Sequence, residues 1–291
     1  MTNRLVQLAR AYRDLLDASM QQAAMVLPAP SPDPAKSVQA KPDAPVCLVF
    51  SPHPDDEALV GGLPLRLRLA GWRVVNVAVT LGSRLDRRAA RWQELQASCQ
   101  MLGFELVAAA GAPGTSLEGI RTAAQVAQTP AWLAGVQRVA DLLAQYQPRV
   151  VVCPHELDGH DAHMATAQLV LQALAGTPAL APHLLLSEYW NTQLAPQLML
   201  GLTDQQVGQL MQATAMHVGE VSRQPYHLTL PAWLMDSARR GAEQVGGPGA
   251  TSSGMGYAAL YGWRRRVGSE WVPTAPRMLT AAETVGALFG D

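Results

Sequence analysis

The chain has 291 residues, 48% of them hydrophobic and 15% charged, with 22 basic against 23 acidic side chains and a formal net charge of −1. That balance lacks the basic excess with which a nucleic-acid-binding protein neutralises phosphates, and the apolar fraction is too high for a mostly disordered chain. Cys47, Cys99 and Cys153 are odd in number and show no CxxC spacing, so no disulfide framework or zinc ribbon is written here and a reducing compartment fits best.

Residues 1–26 place Leu5, Leu8, Tyr12, Leu15, Leu16 and Met20 at helical spacing with Arg4, Arg10, Arg13 and Asp14 between them, which predicts an amphipathic helix. Such a helix packs on its own domain or contacts a neighbouring protomer. The proline-rich stretch 27–45 has little to bury and reads as an extended linker or surface strap. Charge breaks the N-terminal sequence every few residues, so it has no signal-peptide core, and no run reaches the roughly 18 apolar residues of a membrane span. A cytoplasmic protein with neither nucleic acid nor membrane as partner is expected.

From residue 46 the pattern alternates. Strands are predicted at 47–51, 73–81, 104–109, 149–154 and 183–190, with helices over about 57–70, 86–102, 119–146 (broken near Pro130) and 163–175. Continuous apolar strands between helices predict an α/β fold whose mainly parallel sheet is covered on both faces. Beyond 200 the pattern weakens: 203–218 reads as helix, 226–243 as a strand or helix edge, 246–256 as a glycine-rich loop or lid, and 257–266 as regular structure. The division expected is 1–45 as helix and linker and 46–291 as one α/β domain.

In an open α/β sheet, ligands bind outside the carboxyl ends of the strands. The two densest His and carboxylate clusters stand there: Ser51-Pro52-His53-Pro54-Asp55-Asp56-Glu57 after the first strand, and His155-Glu156-Leu157-Asp158-Gly159-His160-Asp161-Ala162-His163 after the fourth. Pro54 stiffens the first turn. His53 and Asp56 stand three apart across it, so an imidazole and a carboxylate can converge on one ion. Catalytic zinc takes such ligands, three from protein, with one position left for water. Asp55 then lies beside the ion, placed to take a proton. The same acids could instead complement a helix dipole. The third ligand comes from His155, His160 or His163. A further histidine can serve as general acid or oxyanion donor, and Asp158 or Asp161 can orient a ring nitrogen. Arg84, Arg87, Arg88 and Arg91 either steer an anionic substrate or form a solvated face paired with Asp86 and Glu94. Trp190, Trp233, Trp263 and Trp271 either stack on a sugar or pack the core. His217 and His227 have no spacing that assigns them.

Strand-SPHPDDE-helix, followed about a hundred residues later by His160-x-x-His163 after another strand, resembles the PIG-L / LmbE-like zinc N-deacetylase family. Thr80-Leu81-Gly82 and Arg91-x-x-Glu94, ahead of Leu102-Gly103, match its TxG and RxxE elements. The resemblance covers about residues 46–190. It implies a Rossmann-like three-layer sandwich in which His53, Asp56 and His163 ligate Zn2+, Asp55 is the general base, and His160 stabilises the oxyanion or protonates the amine. It also implies that Arg91 contacts substrate, although pairing with Glu94 is an alternative, and that the substrate is an N-acetylated amino sugar or its conjugate. A homo-oligomer, trimer or hexamer, with 1–45 as a contact arm, is implied as well. The family's second motif commonly reads His-Pro-Asp-His, whereas here it is His160-Asp161-Ala162-His163, so the partner of His160 is open. The alternatives are an amidase or phosphoester hydrolase on the same metal site, or a non-catalytic binding or assembly module.

Overall fold

The structure, a computed structural model, describes residues 2–22, 40–41 and 43–290. The expectation for the proline-rich strap falls largely outside them. The N-terminal helix is α1 (Thr2–Gln22). Alternation begins with β1 (Val46–Ser51), α2 (Asp56–Leu59), α3 (Gly62–Leu69), β2 (Arg73–Ala78), α4 (Arg88–Leu102) and β3 (Glu105–Ala108). It continues with α5 (Thr122–Val126), α6 (Pro130–Tyr146), β4 (Val150–Pro154), α7 (Asp161–Ala175) and β5 (His183–Ser187). The remainder is β6 (Leu198–Leu202), α8 (Asp204–Ala215), α9 (Val218–Val221), α10 (Tyr226–Gly246), β7 (Tyr257–Val267), β8 (Glu270–Pro273) and β9 (Arg277–Leu279).

One sheet holds these strands in the order β3-β2-β1-β4-β5-β7-β6-β9, with β8 paired to β7. The first five are parallel. Each is built on apolar residues, and β1 alternates sides: Cys47 and Val49 enter the core under α3, α4 and α8, whereas Val46, Leu48 and Phe50 enter the core under α6 and α7. Burial on both faces is what a continuous apolar strand requires, and each such side chain contributes about 1.5–3 kcal/mol. The result is the three-layer Rossmann-like α/β sandwich expected. The chain reverses direction across the sheet between β1 and β4, so a crevice opens at their carboxyl ends. Both His/carboxylate clusters leave from those ends.

Several expectations are corrected. The helix over 57–70 is two helices that part at Val60 and Gly61, where a Cβ on Gly61 would meet Glu57 O at 2.5 Å. The 226–243 segment, read as a strand or helix edge, is all helix and continues past Pro231. The regular structure expected at 257–266 is present, as the antiparallel strand β7, which sits between β5 and β6. β6, β8 and β9 were not read from the sequence. No helix among the described residues is long and apolar enough to cross a membrane.

Candidate metal centre and cavity

The Pro52-to-Asp56 turn is tied down before any chemistry is considered. Thr80 Oγ1 donates to Pro52 O at 2.7 Å, and Gly82 N donates to Thr80 Oγ1. Gly82 has φ +83°, and a Cβ there would run into the Arg91 guanidinium, which lies across the turn and donates to Leu81 O at 3.3 Å. The TxG and RxxE elements therefore brace the motif loop. Asp55 itself has φ 113° and ψ −27°. A non-glycine residue there costs on the order of 1–3 kcal/mol and persists only where its surroundings hold it.

Three donors converge below this turn. His53 Nδ1 lies 3.3 Å from His163 Nε2, His53 Nδ1 lies 3.6 Å from Asp56 Oδ2, and His163 Nε2 lies 3.5 Å from Asp56 Oδ2. Ligand atoms held about 2.0–2.2 Å from zinc in a tetrahedral array stand about 3.3–3.6 Å apart, so this triangle has the dimensions of one face of such a shell. Two imidazole nitrogens and a carboxylate oxygen are also the right donor chemistry. His160 joins His53 and His163 in a second grouping with ligand atoms within 4.8 Å of one another. Its Nδ1 is buried without a hydrogen-bond partner. His155 is elsewhere, with Nε2 on Asn191 O at 3.0 Å.

The electrostatics separate the neighbours. Burial works against charge on Asp56, but His163 and His53 prevail and hold its carboxyl down at about 2. Burial, reinforced by the Asp56 charge, pushes the Asp55 carboxyl well above the usual carboxylate range. Burial together with His53 and His163 lowers His160, which keeps it neutral. His163 is raised despite burial by Asp56 and by Asp158, whose Oδ1 is 3.2 Å from His163 Nδ1. Asp158 thus faces His163 rather than the His160 ring. Asp161 accepts from Thr122 and orients no imidazole.

These residues floor a cavity of about 670 Å³. Its rim carries Arg84, Arg87, Arg88, Arg91, Arg121 and Arg223 against Glu118, Asp161 and Glu220. Arg91 ion-pairs with Glu220 at 3.4 Å, not with Glu94, which instead accepts from Gly219 N at 3.0 Å. Arg88 pairs with Glu118 rather than Glu94, and Arg84 with Asp86. Of the four tryptophans, Trp190 lines the cavity, its ring 5.3 Å from His160. Trp233 packs on Tyr189, and Trp263 is buried against His183 and Phe289. The glycine-rich 247–256 segment does not border the cavity. Sequence reasoning gave no role to Glu57 and His217, which meet in full burial at 2.7 Å. They are 160 residues apart, and no spacing rule joins them.

Known proteins bear on this arrangement. No curated protein matches the chain. The N,N'-diacetylchitobiose deacetylase of Pyrococcus horikoshii is similar in structure, with 16% identity, 90% of this chain and 93% of that chain covered, and a TM-score of 0.53. A deacetylase of teicoplanin biosynthesis gives 16%, 76%, 98% and 0.54 for the same measures. GalB, the 4-carboxy-2-hydroxymuconate hydratase of Pseudomonas putida, gives 17%, 75%, 95% and 0.55. At such identities the likeness shows the fold alone, and a hydratase among the three makes the point that one fold hosts different reactions. The model of one family, described as PIG-L: GlcNAc-PI de-N-acetylase, matches residues 48–174, the segment that contains both clusters.

Proposed function

We propose that the protein is a zinc-dependent N-deacetylase acting on an N-acetylated amino sugar or its conjugate. The observation that carries the reading is the triangle of His53, Asp56 and His163 donors at the floor of a cavity, with Asp55 beside it and outside it. A zinc ion there supplies a water acidified to a pKa of about 7 and a Lewis acid that polarises the amide carbonyl. Asp55 takes the proton as water attacks, a role suited to a carboxyl whose proton affinity is raised by burial. Neutral His160, opposite His53 and His163, donates a hydrogen bond to the developing oxyanion, and the proton that Asp55 took from the water passes to the departing amine. The exposed Trp190 face offers a stacking platform for a sugar ring.

The rim supports a substrate that also carries an acidic group. Six arginines face three acids there, and among the described residues Arg121 has no ion pair. Arg121→Gln is expected to raise KM severalfold for an acidic N-acetyl substrate and to leave a neutral one unchanged. The two donor groupings share His53 and His163, which favours one ion; phosphoester cleavage usually uses two ions about 3.5–4 Å apart.

The direct test is acetate release from N-acetylated amino sugars by protein holding one zinc per chain. Asp55→Asn should keep the zinc and lose about 10²–10⁴-fold in kcat. A variant as active as the parent, or a metal-free protein as active as the loaded one, overturns the reading, and indifference of every function to Asp55→Asn favours a binding module.

A further inference from the structure

The strained conformation of Asp55 needs a holder. Its own N–H donates to Glu57 Oε2 at 3.0 Å. The other oxygen of that carboxylate accepts from Ser98 Oγ and, at 2.7 Å, from His217 Nε2. Glu57 and His217 are both without solvent contact. A buried carboxylate stays in place only when its oxygens are fully hydrogen-bonded, so the aim of Glu57 at Asp55 N depends on the donors behind it.

His217 is in turn fixed by α9. Gly219 N donates to Glu94 Oε1 at 3.0 Å, and Glu220 binds Arg87 and Arg91 from α4 and its preceding turn. Gly219 has no side chain to obstruct this: a Cβ would overlap the Arg87 guanidinium. The Glu57, Arg87, Arg91, Glu94 and Ser98 side of the clamp lies within the segment that the family model matches, whereas His217, Gly219 and Glu220 lie beyond residue 174, outside it.

We propose that His217 is a positioning residue. Through Glu57 it holds the Asp55 peptide, and with it the base, in the left-handed geometry, so that alignment of the site is set by a C-terminal segment docked on the RxxE helix. The consequence for turnover rests on the deacetylase reading; the consequence for the Asp55 peptide does not.

The two are therefore measured separately in the full-length chain. Hydrogen exchange reads the clamp without substrate. In His217→Leu the Asp55 amide is expected to exchange at least about tenfold faster while β1 amides keep their rates, and His217→Gln, which retains a donor near the Nε2 position, should restore protection. With zinc loaded, His217→Leu should lower kcat at least about thirtyfold with KM within about twofold and zinc still bound at one per chain, and His217→Gln should recover most of the loss. Unchanged exchange at Asp55 in His217→Leu overturns the proposal, as does a parallel loss of zinc, KM and fold in His217→Gln. If His217→Leu does not fold, a native-like His217→Gln supports the donor role and a His217→Gln that exchanges freely at Asp55 refutes it. Should the parent protein turn over no N-acetyl substrate, the deacetylase reading fails while the exchange result still decides the clamp.

Discussion

Two adjacent carboxyls, Asp55 and Asp56, share one buried turn and behave oppositely. Asp56 faces two imidazoles and is held ionised, whereas Asp55 faces Asp56 and is driven towards its protonated form. On the proposed reading, environments that push neighbouring groups apart let one turn supply both a ligand and a base. The ligand side has its own support. Asp158 Oδ1 faces His163 Nδ1 at 3.2 Å, and its Oδ2 accepts from Trp190 N. Such a partner fixes the ring so that Nε2 aims at the other donors and makes the imidazole more basic. Removing the charge while keeping the shape tests this. Asp158→Asn is expected to weaken zinc binding about 10–100-fold, measured by calorimetric titration, with His155→Gln as a control that leaves affinity unchanged. Equal affinity in Asp158→Asn and parent would show that Asp158 only caps the loop.

At the scale of elements, the parallel half of the sheet and its antiparallel extension are joined where β5 meets β7. His183 on β5 accepts from Trp263 Nε1 at 3.0 Å through Nδ1, so its proton sits on Nε2 and the ring must be neutral. Burial, with Arg265 and Arg149 nearby, lowers it to about 4, against about 6.5 in an unfolded chain. Between those values the unfolded chain binds more protons than the folded one, so the stability from this pair is whole above pH 6.5 and is lost as pH falls towards 4. His183→Asn keeps an acceptor near Nδ1 and cannot titrate there. Its melting temperature should fall less than that of the parent between pH 7 and 4.5; parallel profiles would show that His183 is not responsible. The sequence made the first five strands legible because each is a short apolar run bounded by polar turns, and β1, β2, β4 and β5 are buried on two faces while the edge strand β3 is only partly covered. It hid β6 and β9 because Leu198–Leu202 and Arg277–Leu279 are short and make sense only beside β7. α10 holds Pro231 in its interior, which removes one helix hydrogen bond without ending the helix. In the site, the convergence of segments around His53 and His163 was legible from strand ends, whereas the Arg91–Glu220 and Glu57–His217 pairs join residues more than a hundred positions apart and carry no periodic signal.

For the whole molecule, α1 is the unbalanced piece. It touches α10, yet Leu5, Leu8, Tyr12 and Leu15 are 54–69% exposed while Val6, Leu16 and Met20 are 39–45% exposed. The more exposed set repeats at alternating steps of three and four residues, the a/d seam of a helix pair. Its charges run against its own dipole: Arg4, Arg10 and Arg13 precede Asp14 and Asp17, with no acid in the first turn and no base in the last. An antiparallel second copy lays Leu5 by Leu15 and Leu8 by Tyr12, sets the basic half of each helix beside the acidic half of the other, and opposes the two dipoles. This charge pattern favours another copy of the chain over an anionic lipid surface, which would ask for a uniformly basic polar face. Such a contact is two-fold and self-complementary, so the assembly it builds has an even number of subunits. A hexamer satisfies that condition and a trimer does not. Light scattering on the full chain is expected to give an even multiple of the subunit mass, and deletion of residues 1–22 should halve it while zinc binding is retained, because the donors lie wholly within 53–163. An odd multiple, or an assembly unchanged by the deletion, would remove α1 from the interface and leave its exposed seam without a second copy to cover it.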